Sequence, residues 1–113
     1  MNSPCLEKYL SKQPQSASSL MSVLQISQPT LSRHLKQQPH IIKIGQARAT
    51  RYALKRPIRR LGAEWPVYRV NQHAEVHLAG QLVSVYPHYY VWRDAVTAQD
   101  SLYESLPWFL WDV

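Results

Sequence analysis

The sequence predicts an α+β protein in two parts. The first part holds three helices and a two-stranded β-hairpin, and the second is a small antiparallel β module that ends in a short helix. Apolar residues recur at helical spacing in the first half and alternate at strand spacing in the second. The stretch "RPIRRLGAEWP" between them combines prolines, a glycine and basic residues. We therefore expect domains at 1–56 and 67–113, joined by a junction at 57–66.

The charge of the chain is unevenly distributed. Residues 1–60 contain eleven Lys or Arg and a single acid, Glu7, whereas residues 61–113 contain two Lys or Arg and six acids. The two halves carry +10 and −4, which together make the net charge of +6. This asymmetry favours a first part that binds a polyanion, with a solvated basic face as the alternative.

The composition also predicts the cellular compartment. The chain has 113 residues, of which 45% are hydrophobic, so it can bury a core. None of its apolar runs approaches the roughly 20 residues that span a bilayer, and "MNSPCLEKYL" lacks the pattern of a secretion signal. The single cysteine, Cys5, cannot form an internal disulfide. We expect a cytoplasmic, nucleoid-associated protein without a cofactor and without membrane contact.

Two helices are expected before residue 25. Leu6 and Leu10 lie one turn apart in "PCLEKYLSKQ", with Ser3 as the expected N-cap. "SASSLMSVLQ" repeats the apolar spacing with Leu20, Val23 and Leu24, after Ser16 as a second N-cap. Both helices are expected to bury their apolar stripes.

A third helix is expected in "SQPTLSRHLKQQ". Ser27 is the expected N-cap and Pro29 lies in the first turn, while Leu31 and Leu35 point inward. His34 lies at the edge of the inward stripe, where a backbone-bonded histidine is preferred over a base contact or a pH-sensitive group. Two short helices joined by a tight turn form a helix-turn-helix, whose second helix enters the major groove of DNA.

The outward face of the third helix contains no acid and suits nucleic acid. Arg33 can fork onto a guanine, Gln28 can pair with an adenine, and Lys36 and the hydroxyl groups can hold phosphates. The predicted DNA-binding residues of this helix are Ser27, Gln28, Pro29, Thr30, Ser32, Arg33 and Lys36.

A β-hairpin is expected directly after this helix. "HIIKIGQARATRYAL" predicts strands from Ile41 to Ile44 and from Thr50 to Leu54, with Gly45 free to take a positive φ. Arg48 and Arg51 complete the predicted DNA-binding residues, because a hairpin here can reach the DNA backbone or the minor groove.

Residues 3–54 resemble a winged helix-turn-helix of bacterial regulators, and "ISQPTLSRHLKQ" is similar to the recognition-helix motif of that superfamily. The resemblance implies sequence-specific binding of double-stranded DNA. A single recognition helix reads only a few base pairs, and bacterial regulators usually bind paired half-sites. We therefore also expect a homodimer.

The second half alternates in short runs rich in Val, Tyr and Trp. These runs are "PVYRVN", "AEVHLAG", "QLVSVY" and "YYVWR", separated by turn residues such as Asn71 and Gly80, and they predict a small antiparallel sheet. A polar loop is expected next, and then a short helix opened by Ser105 and Pro107. The aromatic residues of that helix either fold back on the sheet or form a protein interface, which we assign to Trp108, Phe109 and Trp111.

"VHLAGQLVSVYPHYYVW", followed by "SLYESLPWFLWDV", resembles the N-terminal subdomain of HipA-type serine/threonine kinases, the toxin partners of toxin–antitoxin pairs. A winged helix followed by this module is similar to the YjjJ branch of that family. The resemblance implies a module that sits against a catalytic core, so a HipA-like kinase core is a candidate partner.

The chain itself is not expected to be an enzyme. Phosphoryl transfer needs a phosphate-cradling loop, but the three glycines, Gly45, Gly62 and Gly80, are far apart. His73 and His77 are four residues apart, but they fall in an expected hairpin and no cysteine accompanies them, so no metal site is predicted.

Two functions remain open. The favoured one is a DNA-binding transcriptional regulator that autoregulates a toxin–antitoxin-like locus. The alternative is the N-terminal DNA-binding and regulatory portion of a HipA-like kinase that lacks its catalytic core here. The two differ over whether Val113 is a natural end.

Overall fold

The computed structural model describes residues 3–46 and 49–107. The chain divides into two compact units, Met1–Lys55 and Arg56–Val113. The predicted α+β class is confirmed, with three helices and two antiparallel sheets in the described residues. Among these residues, no helix is long and apolar enough to cross a lipid bilayer.

The first unit combines a helix-turn-helix with a three-stranded antiparallel sheet in the order β1-β3-β2. Strands β2 and β3 form the predicted hairpin, in which Ile42 pairs with Ala53 and Lys43 with Tyr52. The elements are α1 (Ser3–Leu10), β1 (Gln15–Ser16), α2 (Ala17–Leu24), α3 (Gln28–Lys36), β2 (Ile41–Ile44) and β3 (Arg51–Leu54).

The predicted N-caps of α2 and α3 are confirmed. Ser16 Oγ accepts a hydrogen bond from the Ser19 amide at 3.2 Å, and Ser27 Oγ accepts one from the Thr30 amide at 3.4 Å. Each serine thereby satisfies one of the amide groups that the first turn of a helix leaves without a partner. The two caps fix where α2 and α3 begin.

The core of the first unit is aliphatic. The helices bury Leu6, Leu10, Leu20 and Leu31 to 2% exposure or less, as the helical spacing predicts. Val23 was expected to face inward, but this was wrong, because its side chain is 43% exposed and α2 buries a narrower stripe. The hairpin contributes the buried residues Ile42, Ile44, Ala53 and Leu54.

Strand β1 was not predicted from the sequence. Gln15 pairs with Tyr52 and Ser16 with Arg51 on the free side of β3. The Gln15 amide donates to the Tyr9 carbonyl oxygen at 3.1 Å and accepts from the Ser19 hydroxyl at 2.8 Å. Gln15 therefore connects the end of α1 to the first turn of α2 and places both beside the hairpin.

The second unit is a four-stranded antiparallel meander in the order β4-β5-β6-β7. Ala79, Leu82 and Trp92 form a buried cluster against which Trp65 and Tyr103 pack. The unit begins with a 3₁₀ turn at Arg59–Leu61, and its strands are β4 (Glu64–Val70), β5 (Val76–Val85), β6 (Tyr89–Asp94) and β7 (Asp100–Tyr103).

Three expectations for this unit need correction. "AEVHLAG" and "QLVSVY" are one continuous strand, β5, so Gly80 is not a turn residue. The expected polar loop contains strand β7, in which Leu102 pairs with Val91. Ser105 and Pro107 are not helical, and the rest of the expected C-terminal helix lies outside the described residues.

Gly80 lies inside β5 because a side chain would not fit there. A Cβ on Gly80 would lie 2.5 Å from the Arg93 carbonyl oxygen and 2.5 Å from a ring carbon of Trp92. Both distances are far shorter than van der Waals contact, and the oxygen belongs to the backbone of the paired strand. The glycine therefore allows the Trp92 ring to pack closely against the backbone of β5.

Gly80→Ala should destabilise the protein by about 1–3 kcal/mol or more, because the added methyl group must displace Trp92 or the β6 backbone. Chemical denaturation followed by tryptophan fluorescence measures the change. The matched control is Gln81→Ala, which removes only the exposed hydrogen bond to Glu64 and should cost less than about 1 kcal/mol. Equal midpoints for Gly80→Ala and the parent would contradict this account of the glycine.

Candidate nucleic-acid interface

The turn between α2 and α3 has a defined backbone conformation. Gln25 adopts the left-handed region at φ 55°, and the amide groups of Gln25 and Ile26 both donate to the Met21 carbonyl oxygen. These hydrogen bonds satisfy a carbonyl group in the last turn of α2 and end the helix. The second helix of the motif, α3, begins immediately afterwards at Gln28.

Helix α3 exposes most of the side chains that were predicted to contact DNA. Ser32, Arg33 and Lys36 are exposed along the helix, and Gln28 and Pro29 are exposed at its start. Leu31 faces the core at 2% exposure, while His34 and Leu35 are half-buried. The exposed face therefore has two cations and no acid, and it follows one side of the helix as the spacing predicts.

The hydroxyl groups at the start of α3 bond to each other. Ser27 Oγ donates to Thr30 Oγ1 at 3.0 Å in addition to accepting from the Thr30 amide. Thr30 is half-buried. These two residues therefore shape the helix N-terminus, and any phosphate contact by Ser27 would require its hydroxyl group to rotate away from Thr30.

The β2–β3 hairpin lies directly after α3. The expected positive φ of Gly45 is confirmed at 79°, and a Cβ there would lie 3.1 Å from the Ala49 carbonyl oxygen. Arg51 is exposed at the start of β3, opposite Ile44. Arg48, the other predicted hairpin contact, lies outside the described residues.

A groove lies between α3 and the outer face of the hairpin. Its volume is about 320 Å³. The helix contributes three lining residues and the hairpin three: Ser32, Leu35, Lys36, Ile41, Lys43 and Tyr52. Leu35 and Ile41 supply apolar carbon, and the other four supply ammonium or hydroxyl groups.

Sequence reasoning missed Lys43 and Tyr52 as interface residues. The signal was present, because the alternation in "IIKI" buries Ile42 and Ile44 and turns Lys43 outward. Tyr52 is the direct cross-strand partner of Lys43, and such pairs share one face of the sheet. The pairing register could not be derived from the strand pattern alone.

Arg56 follows the hairpin in the chain, and its side chain is engaged within the second unit. Its Nε donates to the Val85 carbonyl oxygen at 3.2 Å, and its guanidinium carbon lies 5.3 Å from the centre of the Tyr90 ring. Its backbone amide donates to the Ser84 carbonyl oxygen, and its carbonyl oxygen accepts from the Ser84 hydroxyl group. Arg56 therefore holds the start of the second unit against the sheet, whereas Arg59 and Arg60 are exposed.

The histidines considered for metal binding are solvent-exposed. His73 lies in the turn that follows β4, where its backbone amide donates to Asn71 Oδ1. His77 lies in β5, and its Nε2 is 3.2 Å from the side-chain nitrogen of Asn71. Within residues 3–46 and 49–107, no three His, Cys, Asp or Glu side chains gather in a metal-binding arrangement. Asn71 thus organises the turn between β4 and β5, as its position suggested.

A different kind of surface lies on the far part of the β4–β5 ribbon. Tyr68 pairs with Leu78 and Val70 pairs with Val76, so the four side chains occupy one face. Their exposed fractions lie between 49% and 67%. The predicted interface residues Trp108, Phe109 and Trp111 lie outside the described residues.

Family comparisons agree with this arrangement. Residues 8–37 match a family described as bacterial regulatory protein, arsR family, and this segment runs from α1 to just past α3. Residues 61–113 match a family described as YjjJ-like toxin, middle domain, which covers all four strands of the second unit. A helix-turn-helix of a bacterial regulatory family indicates DNA binding and transcription regulation.

A curated relative aligns with most of the chain. Toxin YjjJ of Escherichia coli (strain K12) is 35% identical over 100 residues, which are 88% of this chain and 22% of that protein. The aligned residues are homologous. The chain therefore spans about a fifth of the length of the relative that it matches. No solved structure matches the chain.

Replacing both hairpin arginines, Arg48→Ala with Arg51→Ala, should flatten the salt dependence of DNA binding. Each phosphate contact contributes about 0.9 to the slope of log affinity against log salt, so the slope should fall by up to roughly 1.8. A control of equal charge is Lys8→Ala with Lys12→Ala, two exposed residues of α1 and the turn after it. An unchanged slope in the hairpin variant would place the phosphate contacts elsewhere.

Proposed function

We propose that the chain is a transcriptional regulator that binds a specific double-stranded DNA site. In this proposal α3 enters the major groove, and the β2–β3 hairpin acts as the wing of a winged helix-turn-helix. The observation that carries the proposal is the exposed, acid-free face of α3, the second helix of the helix-turn-helix, which lies within a segment that matches a bacterial regulatory family. The proposal assigns no enzymatic step to the chain.

The chemistry of the α3 face divides into base reading and positioning. Arg33 presents a planar fork that suits the two acceptors of guanine, and Gln28 suits the acceptor and donor of adenine. Lys36 and Ser32 are better suited to phosphate oxygens, which position the helix without reading sequence. Pro29 lies exposed in the first turn of α3, where its ring offers an apolar surface without a hydrogen-bonding group.

DNA binding is assigned to domain 1–56, and the second domain at 67–113 is assigned a protein-binding role. One recognition helix reads too few bases for high specificity, so we propose a homodimer on half-sites about one helical turn apart. The homology to a toxin supports a toxin–antitoxin-like locus whose promoter the protein controls. A nuclease footprint on the promoter of its own gene therefore identifies the site.

Arg33→Ala should raise the Kd for the footprinted site by roughly 5- to 150-fold, because a bidentate base contact contributes about 1–3 kcal/mol of discrimination. Its affinity for random DNA should change far less. Fluorescence anisotropy with the operator and with a scrambled duplex measures both constants.

Arg33→Lys is the matched variant, because it keeps the charge and loses the planar fork. It should bind random DNA like the parent and still fail to prefer the operator. The proposal is wrong if the parent protein does not distinguish operator from scrambled DNA, or if Arg33→Ala retains the full preference.

The second unit supports a second candidate function, the DNA-binding and regulatory portion of a longer YjjJ-like protein. Its segment matches a family described as a middle domain, and the chain corresponds to about a fifth of the homologous toxin. The β4–β5 ribbon exposes four apolar side chains on one face, and such a contiguous patch, unlike single exposed apolar residues, is typical of a protein-binding surface. We assign this face, together with Trp108, Phe109 and Trp111, to docking of a HipA-like kinase core.

Replacing Val70 and Val76 with serine should weaken binding to the part of the Escherichia coli toxin that follows its aligned segment, by tenfold or more, because both residues would lose buried apolar area. Isothermal titration measures the affinity, with Arg69→Ser on the other face of the ribbon as the control. Truncation after Pro107 removes the aromatic residues, keeps all four strands, and so tests whether those residues contribute to docking. Truncation after Ser101 would also remove half of β7. Equal affinity in all variants would contradict the docking role.

A further inference from the structure

The groove between α3 and the hairpin contains chemistry that the recognition helix alone does not supply. Lys36 and Lys43 come from different elements, α3 and β2, and both line the same space of about 320 Å³. Both lysines are exposed. Two ammonium groups that converge from separate elements create a local positive potential, which favours an anionic occupant.

The lining of the groove combines two kinds of chemical group. Leu35 and Ile41 are half-buried and provide apolar carbon, while Ser32 and Tyr52 add hydroxyl groups to the two lysines. None of the lining residues that the structure describes is acidic. A ligand that fits both kinds of lining group has an anionic group that is joined to a compact, weakly polar ring, and the sugar-phosphate backbone of DNA has this character.

The position of the groove favours DNA over a free small anion. One wall is the side of α3 that carries Ser32 and Lys36, next to the face proposed to enter the major groove. The other wall is the hairpin proposed as the wing. The sugar-phosphate strand that separates the major groove from the neighbouring minor groove would lie between these two elements when α3 occupies the major groove and the wing the minor groove.

We propose that this groove binds one segment of the DNA sugar-phosphate backbone. Lys36 and Lys43 hold the phosphate from opposite walls, and the Tyr52 hydroxyl donates to a phosphate oxygen. Leu35 and Ile41 pack against the deoxyribose. This inference rests on the proposed DNA binding and deepens it, because it adds Lys43 and Tyr52 as positioning contacts that carry no sequence information.

The register of the hairpin fixes how the two new residues act together. Lys43 and Tyr52 are direct cross-strand partners, so their side chains leave the same face of the sheet side by side. Ile42 and Ile44 anchor β2 on the opposite face at 9% and 5% exposure. The hairpin therefore presents the lysine and the tyrosine from a backbone that is held in the core.

The test uses the full chain and the footprinted operator, and it measures affinity against salt for Lys43→Ala and Tyr52→Phe. Lys43→Ala should raise the Kd roughly three- to tenfold on operator and scrambled DNA alike, and should lower the salt slope by about 0.9. Tyr52→Phe should raise both Kd values and leave the slope unchanged, because it removes no charge. Ethylation of single phosphates should identify one backbone position that no longer matters in Lys43→Ala.

Two further variants keep the result interpretable. Lys43→Arg restores the charge and should restore the parental slope, which a merely structural role would not predict. Lys12→Ala removes an exposed cation outside the groove and should leave the ethylation pattern unchanged. Thermal unfolding of each variant shows whether the hairpin has folded.

The outcomes separate the groove from the recognition helix. If Lys43→Ala and Tyr52→Phe bind like the parent while Arg33→Ala loses sequence preference, the groove proposal is overturned and the proposed function stands. If the parent binds no DNA, both are overturned. If Lys43→Ala loses preference for the operator but keeps its salt slope, the groove reads bases and the backbone assignment is wrong.

Discussion

The first unit depends on the burial of Leu20 and Leu31 on either side of a three-residue turn. Leu20 is fully buried and Leu31 is 2% exposed, so α2 and α3 can each turn only one face to the core. The left-handed conformation of Gln25 and the cap at Ser27 set the point where the second helix begins. With both ends of the turn fixed, the direction of the exposed α3 face follows from the position of Leu31.

Much of this unit could be predicted because its signals are local. A serine before an apolar helical pattern is sufficient to locate the starts of α2 and α3, since capping involves only residues within one turn. Strand β1 has no comparable signal, because its two residues pair with Tyr52 and Arg51 far along the chain. The merging of two predicted strands into β5 has a similar cause, since Gly80 is required by Trp92 of the neighbouring strand and not by a turn.

The candidate site shows the same division. The exposure of Arg33 and Lys36 follows from helical periodicity and was predicted, whereas the groove depends on where α3 and β2 meet in the fold. The outward direction of Lys43 could be predicted from the strand pattern, but its pairing with Tyr52 could not. Arg56 is a further example, because it belongs to a basic cluster in the sequence, whereas its contacts with the Val85 carbonyl oxygen and the Tyr90 ring depend on the fold.

The charge distribution explains why the two units carry different surfaces. A net charge of +6 describes neither of them, because Met1–Lys55 holds eight Lys or Arg and one acid, which make +7, whereas Arg56–Val113 holds five Lys or Arg and six acids, which make −1. The attraction between a surface and a polyanion depends on the local electrostatic potential. Salt at physiological concentration screens the potential of a charge beyond about 8–10 Å. The acidic residues of the second unit therefore weaken DNA attraction only near themselves. A surface near them that is exposed and apolar, such as the face with Val70 and Val76, suits contact with protein rather than with nucleic acid.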